Sequence, residues 1–163
     1  MGDYMKFDKK TLFFRVLTTV CTVLLIAFIF YNSIKPAKES SESSGRVLAL
    51  LNNIFEFLGI GPVLNQNIVR TLAHFGEFGL LGVLSSLSFQ SFLRHKRKNM
   101  IFSVITVASV ALIDECIQLF SDGRAFQIED MFIDISGGVI GALLVFMVLC
   151  LVDVSRKRRF KNE

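Results

Sequence analysis

Residues 100–120 read "MIFSVITVASVALIDECIQLF". The first fourteen carry no charge. Then Asp114 and Glu115 arrive together, and Gln118 follows, inside a run that is otherwise oily. About 20 predominantly apolar residues are what a helix needs to cross the hydrocarbon core of a bilayer. This run has that length, and it lacks the period-2 alternation of a barrel strand. Two carboxylates near one end of such a segment need polar company, so the rest of the chain is read for it.

Three further runs have the same character: residues 12–31, 69–93 and 131–152. The whole chain is 52% hydrophobic, with seventeen Phe, no Trp and a mean hydropathy of +0.55, well above an ordinary soluble domain. Only helices or closed barrels span a membrane. The sequence therefore predicts an all-α integral membrane protein of four transmembrane helices, one domain over residues 1–163. The first run has the basic start of a signal peptide. Its apolar stretch is long, however, and no small-x-small cleavage site follows in "FIFYNSIKPAKES". It is read as an uncleaved helix.

Basic residues set orientation. Thirteen of the eighteen Lys and Arg fall before residue 16, between the second and third runs, or after the fourth. The other side holds Lys35, Lys38, Arg46, Arg70 and Arg124. Both termini are expected in the cytoplasm, with 32–68 and 121–130 outside. The net charge of +4 is then topological. It favours anionic lipid, and no nucleic-acid partner is expected.

The loop 32–68 divides in two. "NSIKPAKESSESSG" reads as irregular. In "RVLALLNNIFEFLGIGP", Val47, Leu50, Leu51, Ile54, Phe55 and Leu58 recur at helical spacing until Gly59 and Gly61-Pro62 stop them. That is a short interfacial helix, lying on the outer leaflet or on the bundle's outer end.

Depth brings the polar residues together. Asp114 lies roughly 9 Å below the outer end of its helix at 1.5 Å per residue. By the same rise, His74 and Glu77 lie roughly 8–12 Å in on the second helix, and Asp134 roughly 5 Å in on the fourth. His74 and Glu77 are spaced i, i+3; Asp114 and Gln118, and Asp130 and Asp134, are i, i+4. Each pair shares a helix face. Exposing one charge to lipid costs about 2.5–3.5 kcal/mol even on a lenient scale, so one shared, outward-open pocket is expected. Its candidate residues are Arg70, His74, Glu77, Asp114, Glu115, Gln118, Arg124, Asp130 and Asp134. Five acids in a low-dielectric site need protons, a cation or Arg124 among them. A structural polar network, a substrate site and a metal site all fit that requirement. The ligand spacing is that of no known zinc motif, and neither metal nor cofactor is assigned. The inner halves of the helices read as apolar.

Gly76, Gly79 and Gly82 on the second helix, and Gly137, Gly138 and Gly141 on the fourth, predict close helix approach. Cys21, Cys116 and Cys150 have no metal or disulfide pattern and read as packing residues.

Three blocks, "PAKESSESSG" (36–45), "RTLAHFGEFGLLGVL" (70–84) and "DECIQLFSDGRAFQIEDMFIDISGGVIGALL" (114–144), together resemble the VanZ-like membrane protein family. The matching positions are Arg70, His74, Phe75, Asp114, Glu115, Gln118, Gly123, Arg124, Asp130, Asp134 and Gly137. Asp134 stands where that family often has Asn. The family is named for a protein that raises tolerance to teicoplanin. The resemblance implies a multi-pass bacterial cell-membrane protein with an envelope-related role, and it supplies no reaction. Membrane lipids are the expected partners, together with a lipid-linked envelope precursor or a lipoglycopeptide. The competing reading is a hydrolase or transferase acting on a lipid headgroup, with carboxylates as acid and base. Transport is disfavoured because the polar residues stop in the outer third.

Overall fold

The computed structural model describes residues 9–61, 64–93 and 95–161. Lys6 and Arg94, two of the thirteen basic residues that set the expected orientation, and Pro62 lie outside these residues. Five helices follow in order: α1 (Lys9–Ile34), α2 (Ala37–Phe57), α3 (Gln66–Phe92), α4 (Lys96–Gln118) and α5 (Ile128–Lys161). No strand occurs among the described residues. Four helices are long and apolar enough to cross a membrane: α1, α3, α4 and the stretch Ile128–Ser155 of α5. The protein is an all-helical membrane protein of the expected architecture.

Its burial is that of a chain with lipid as solvent. Phe13 is 69% exposed, Phe57 89% and Phe120 90%. In water a coat of this kind would mark an association surface. The buried residues, in contrast, include more polar than apolar members. Ile29, Phe78, Leu81, Val107, Val110 and Ala111 form a small apolar core. Much of the remaining interior is polar, including Ser85, Ser103, Asp114, Glu115, Gln118 and Asp134.

α3 and α5 run in the same direction and form the most extensive helix pair. A Cβ on Gly82 would run into the Gly138 carbonyl, one on Gly137 into that of Phe75, and one on Gly141 into that of Gly79. Small residues are therefore required for the two backbones to meet. Gly76 does not belong to this seam, because a Cβ there would meet nothing within 4 Å.

Two boundaries differ from the sequence reading for identifiable reasons. α3 begins at Gln66 because Asn65 caps it, its side chain accepting from the Ile68 N–H at 2.9 Å. α2 begins at Ala37, so the stretch 37–45 is helical and not irregular. Ser43 and Ser44 turn their hydroxyls back onto the Glu39 and Ser40 carbonyls, which keeps them inside a helix instead of breaking it. The Ala37 N–H is held by the Asp122 carbonyl of the α4–α5 loop at 3.0 Å. α2 ends where expected. Gly59 has φ +74°, and the Gly59 and Ile60 N–H groups return to Glu56 and Phe55, a Schellman stop.

The end of the bundle where α1 starts and α5 ends is not purely apolar. Ser85 and Ser103 are hydrogen-bonded partners, Asn99 donates to Gln90, and Thr19 pairs with Ser88 at 2.9 Å. These are uncharged contacts between helices, too short and scattered to disturb hydropathy. Cys21, Cys116 and Cys150 are free, and Cys116 is exposed rather than packed.

Candidate functional site

The parallel pairing of α3 and α5 builds the site. Two rungs cross between them at a constant sequence offset. Arg70 Nη2 donates to Asp130 Oδ2 at 2.8 Å, and His74 Nδ1 lies 3.2 Å from Asp134 Oδ1. One turn separates Arg70 from His74, and one turn separates Asp130 from Asp134, so the i, i+4 spacing on each helix becomes a ladder. The glycine seam begins directly below the second rung.

α4 supplies the adjacent layer. Gln118 donates from Nε2 to Asp114 Oδ2 at 2.8 Å and to Glu115 Oε1 at 3.2 Å. All three side chains are buried. The Gln127 N–H donates to Glu115 Oε2 at 2.8 Å, tying the entry of α5 to the end of α4. Ser33 of α1 donates to the other oxygen of Asp114. Ser121 donates to the Ser33 carbonyl at 2.7 Å and fixes that end of α1.

Two hollows lie beside this network. The larger, about 510 Å³, opens between α1, α2 and α3. His74 and Glu77 reach it, and so do Arg70 and Lys35. The smaller, about 190 Å³, lies under the start of α2 and is lined by Arg70, Arg124, Gln66 and the α2 serines Ser40, Ser41 and Ser44. Arg70 borders both.

The VanZ/LLP1 family pattern matches residues 18–150. The chain belongs to the VanZ/LLP1 family. No curated protein and no solved structure matches it. In this VanZ/LLP1 protein, His74, Asp114 and Asp134 converge from three helices, with Glu115 and Gln118 joined to Asp114 on α4 and Arg70 and Asp130 one turn earlier on α3 and α5. Glu77 stands at the wall of the larger hollow. Arg124 is placed apart: it lines the smaller hollow and makes no ion pair with a described residue. Asp130 is paired with Arg70 instead. Burial, with the neighbouring Arg70 guanidinium, holds Arg124 below its usual pKa, while Asp114, Glu115 and Asp130 pull the other way.

Sequence reading missed four contributors. Ser33 fell beyond the expected end of the first helix, although α1 runs three residues further. Lys35 and Asn32, next to it, line the larger hollow. Gln127 acts through its backbone N–H, which no side-chain pattern announces.

Proposed function

We propose that this VanZ/LLP1 protein binds the anionic headgroup of a lipid or lipid-anchored molecule in the hollow between α1, α2 and α3. The observation that carries the reading is the two-sided character of that hollow. Phe28, Val47, Leu51, Val69 and Leu72 make part of its wall apolar, while Lys35, Arg70 and His74 supply cationic or donor groups that outnumber the one acid of the lining, Glu77. At about 510 Å³ it falls within the roughly 300–1,000 Å³ of small-molecule sites. That suits a headgroup, or one piece of a larger amphiphile, and not a whole lipoglycopeptide. The acyl part of such a ligand would stay in lipid, along the exposed apolar residues of α1 and α2.

The proposal includes location. Thirteen of eighteen basic residues favour cytoplasmic termini in a bacterial cell membrane. The hollow then faces outward, where a lipid-linked envelope precursor or a lipoglycopeptide would be met. Retaining such a molecule in the outer leaflet would alter lipoglycopeptide susceptibility.

One observation favours hydrolysis or transfer as a second reading. His74 borders the hollow while its Nδ1 is held by buried Asp134, an arrangement that orients an imidazole for general base work.

Lipid co-purifying with the full chain, extracted and measured by mass spectrometry, tests the first reading. Lys35→Gln and Arg70→Gln should each weaken retention of an anionic species about tenfold, the worth of one charge-assisted hydrogen bond. Val47→Trp should displace it by filling the hollow. Unchanged lipid content in all three variants rules the reading out. Lipid turned over by the parent and not by His74→Gln selects the second.

A further inference from the structure

His74, Asp114 and Asp134 come from three different helices, α3, α4 and α5. Each offers one donor atom, and these atoms lie within 4.8 Å of one another. Asp114 is 1% exposed and Asp134 is 0% exposed. The His74 Nδ1–Asp134 Oδ1 separation is 3.2 Å. Around a tetrahedral ion with bonds of about 2.0–2.2 Å, neighbouring donors sit roughly 3.4 Å apart. One edge of a coordination shell already has its length.

A second observation is independent of the clustering. Asp134 Oδ2 is buried and has no hydrogen-bond partner among the described residues. Both oxygens of Asp114, by contrast, are taken, one by Ser33 and one by Gln118. Buried polar atoms nearly always find a partner, and a bound ion or water is one of the physical causes of an exception in a native fold. The unpartnered oxygen belongs to the Asp134 carboxylate, whose other oxygen faces His74.

We propose that His74, Asp114 and Asp134 bind one divalent transition-metal ion of the zinc or manganese kind. Imidazole suits zinc and its neighbours, and carboxylates suit manganese and magnesium, so one nitrogen with two carboxylates falls between. Charge agrees: a dication balances two carboxylates, which then need neither protons nor an arginine. Ser33 and Gln118 hold Asp114 in place, as outer partners hold the ligands of known metal sites. Three protein donors leave a coordination position open. His74 also borders the larger hollow, so that position falls to water or to an oxygen of whatever occupies the hollow. The metal site does not depend on the lipid-binding reading.

The test uses the full chain in detergent, stripped with a chelator and equilibrated with zinc chloride or manganese chloride. After desalting, metal content by mass spectrometry should be about one ion per chain, as expected of a three-ligand site. His74→Gln, Asp114→Asn and Asp134→Asn should each cut uptake at least tenfold, about the loss that even an outer partner of a ligand causes. Glu129→Gln, on the exposed first turn of α5, should leave it unchanged. Substitution in a buried cluster can unfold a chain, so the unmodified protein carries a readout of its own. Bound manganese should lose the sharp six-line spectrum of the free ion in electron paramagnetic resonance. If the stripped parent takes up no more of either ion than Asp134→Asn does, the site is a proton-sharing network and the proposal fails. Uptake that persists in all three variants places the ion elsewhere and overturns it equally.

Discussion

Glu115 is adjacent to Asp114 in sequence, yet the two carboxylates do different work. Asp114 turns to Ser33 and sits within the His74–Asp134 group. Glu115 turns to the Gln127 N–H and to Gln118, and so holds the α4–α5 connection. Its role is that of an acceptor for the entry of α5. Glu115→Ala should leave the Gln127 N–H without its partner, at a cost of roughly 1–3 kcal/mol. Glu115→Gln keeps one acceptor oxygen and should cost less. Thermal unfolding of both variants in detergent checks the order, and equal melting temperatures would show that the contact carries no stability. The cationic residues sort in the same way. Arg70, not Arg124, meets Asp130, so a double-mutant cycle should find stronger coupling for Arg70 with Asp130 than for Arg124 with Glu115, which interact without an ion pair. The coupling should be modest, below about 1 kcal/mol, because Arg70 is more than a third exposed. The nearness of His74, Asp114 and Asp134 was legible from depth and helix-face spacing. Their pairing was not, because depth orders residues along a helix axis and leaves open which neighbour each one faces.

At the scale of the element, the α3–α5 seam explains why the ladder has fixed rungs. Gly79, Gly82, Gly137 and Gly141 bring the two backbones so close that sliding is blocked, and the register at Arg70–Asp130 and His74–Asp134 follows. Gly82→Ala or Gly141→Ala would push a methyl into a carbonyl and should destabilise by roughly 1–3 kcal/mol or more, as overpacking does. Gly76→Ala should be tolerated, since its Cβ meets only open space. Melting temperatures of the three variants test this, and a drop for Gly76→Ala equal to the others would contradict the seam as described. The repeat of glycines every three residues was visible in the sequence, but periodicity alone placed Gly76 with Gly79 and Gly82. α2 taught the opposite lesson. Its serine-rich start looked like a loop because Ser weakens isolated helices, whereas here Pro36 sets the entry and Asp122 receives the first N–H.

The whole molecule is inverted relative to a soluble fold, with apolar side chains outward and hydrogen bonds inward, and that inversion was legible in hydropathy. Uncharged polar contacts such as Asn99–Gln90 were not, because single Asn, Gln and Ser residues barely change a twenty-residue average. The arrangement of the chain gives two distinct ends. One carries α2, the two hollows and the ionisable network. The other carries residues 9–15, 95–99 and the end of α5, where Lys96 meets Asp153 and the Leu149 carbonyl. The basic residues gather at this second end, and positive loops stay in the cytoplasm. A cysteine in place of Glu42, exposed on α2, should therefore react with an impermeant thiol reagent on intact cells. One in place of Lys98, exposed at the start of α4, should react only after the membrane is opened. Lys98 is the right probe because neighbouring Asn99 is 2% exposed and would stay unlabelled on either side. Cys21, Cys116 and Cys150 must first be replaced, Cys116 above all because it is exposed. The reversed pattern would put both hollows on the cytoplasmic face. It would remove the outward ligand from the proposed function while leaving the metal site, which needs no particular side, intact.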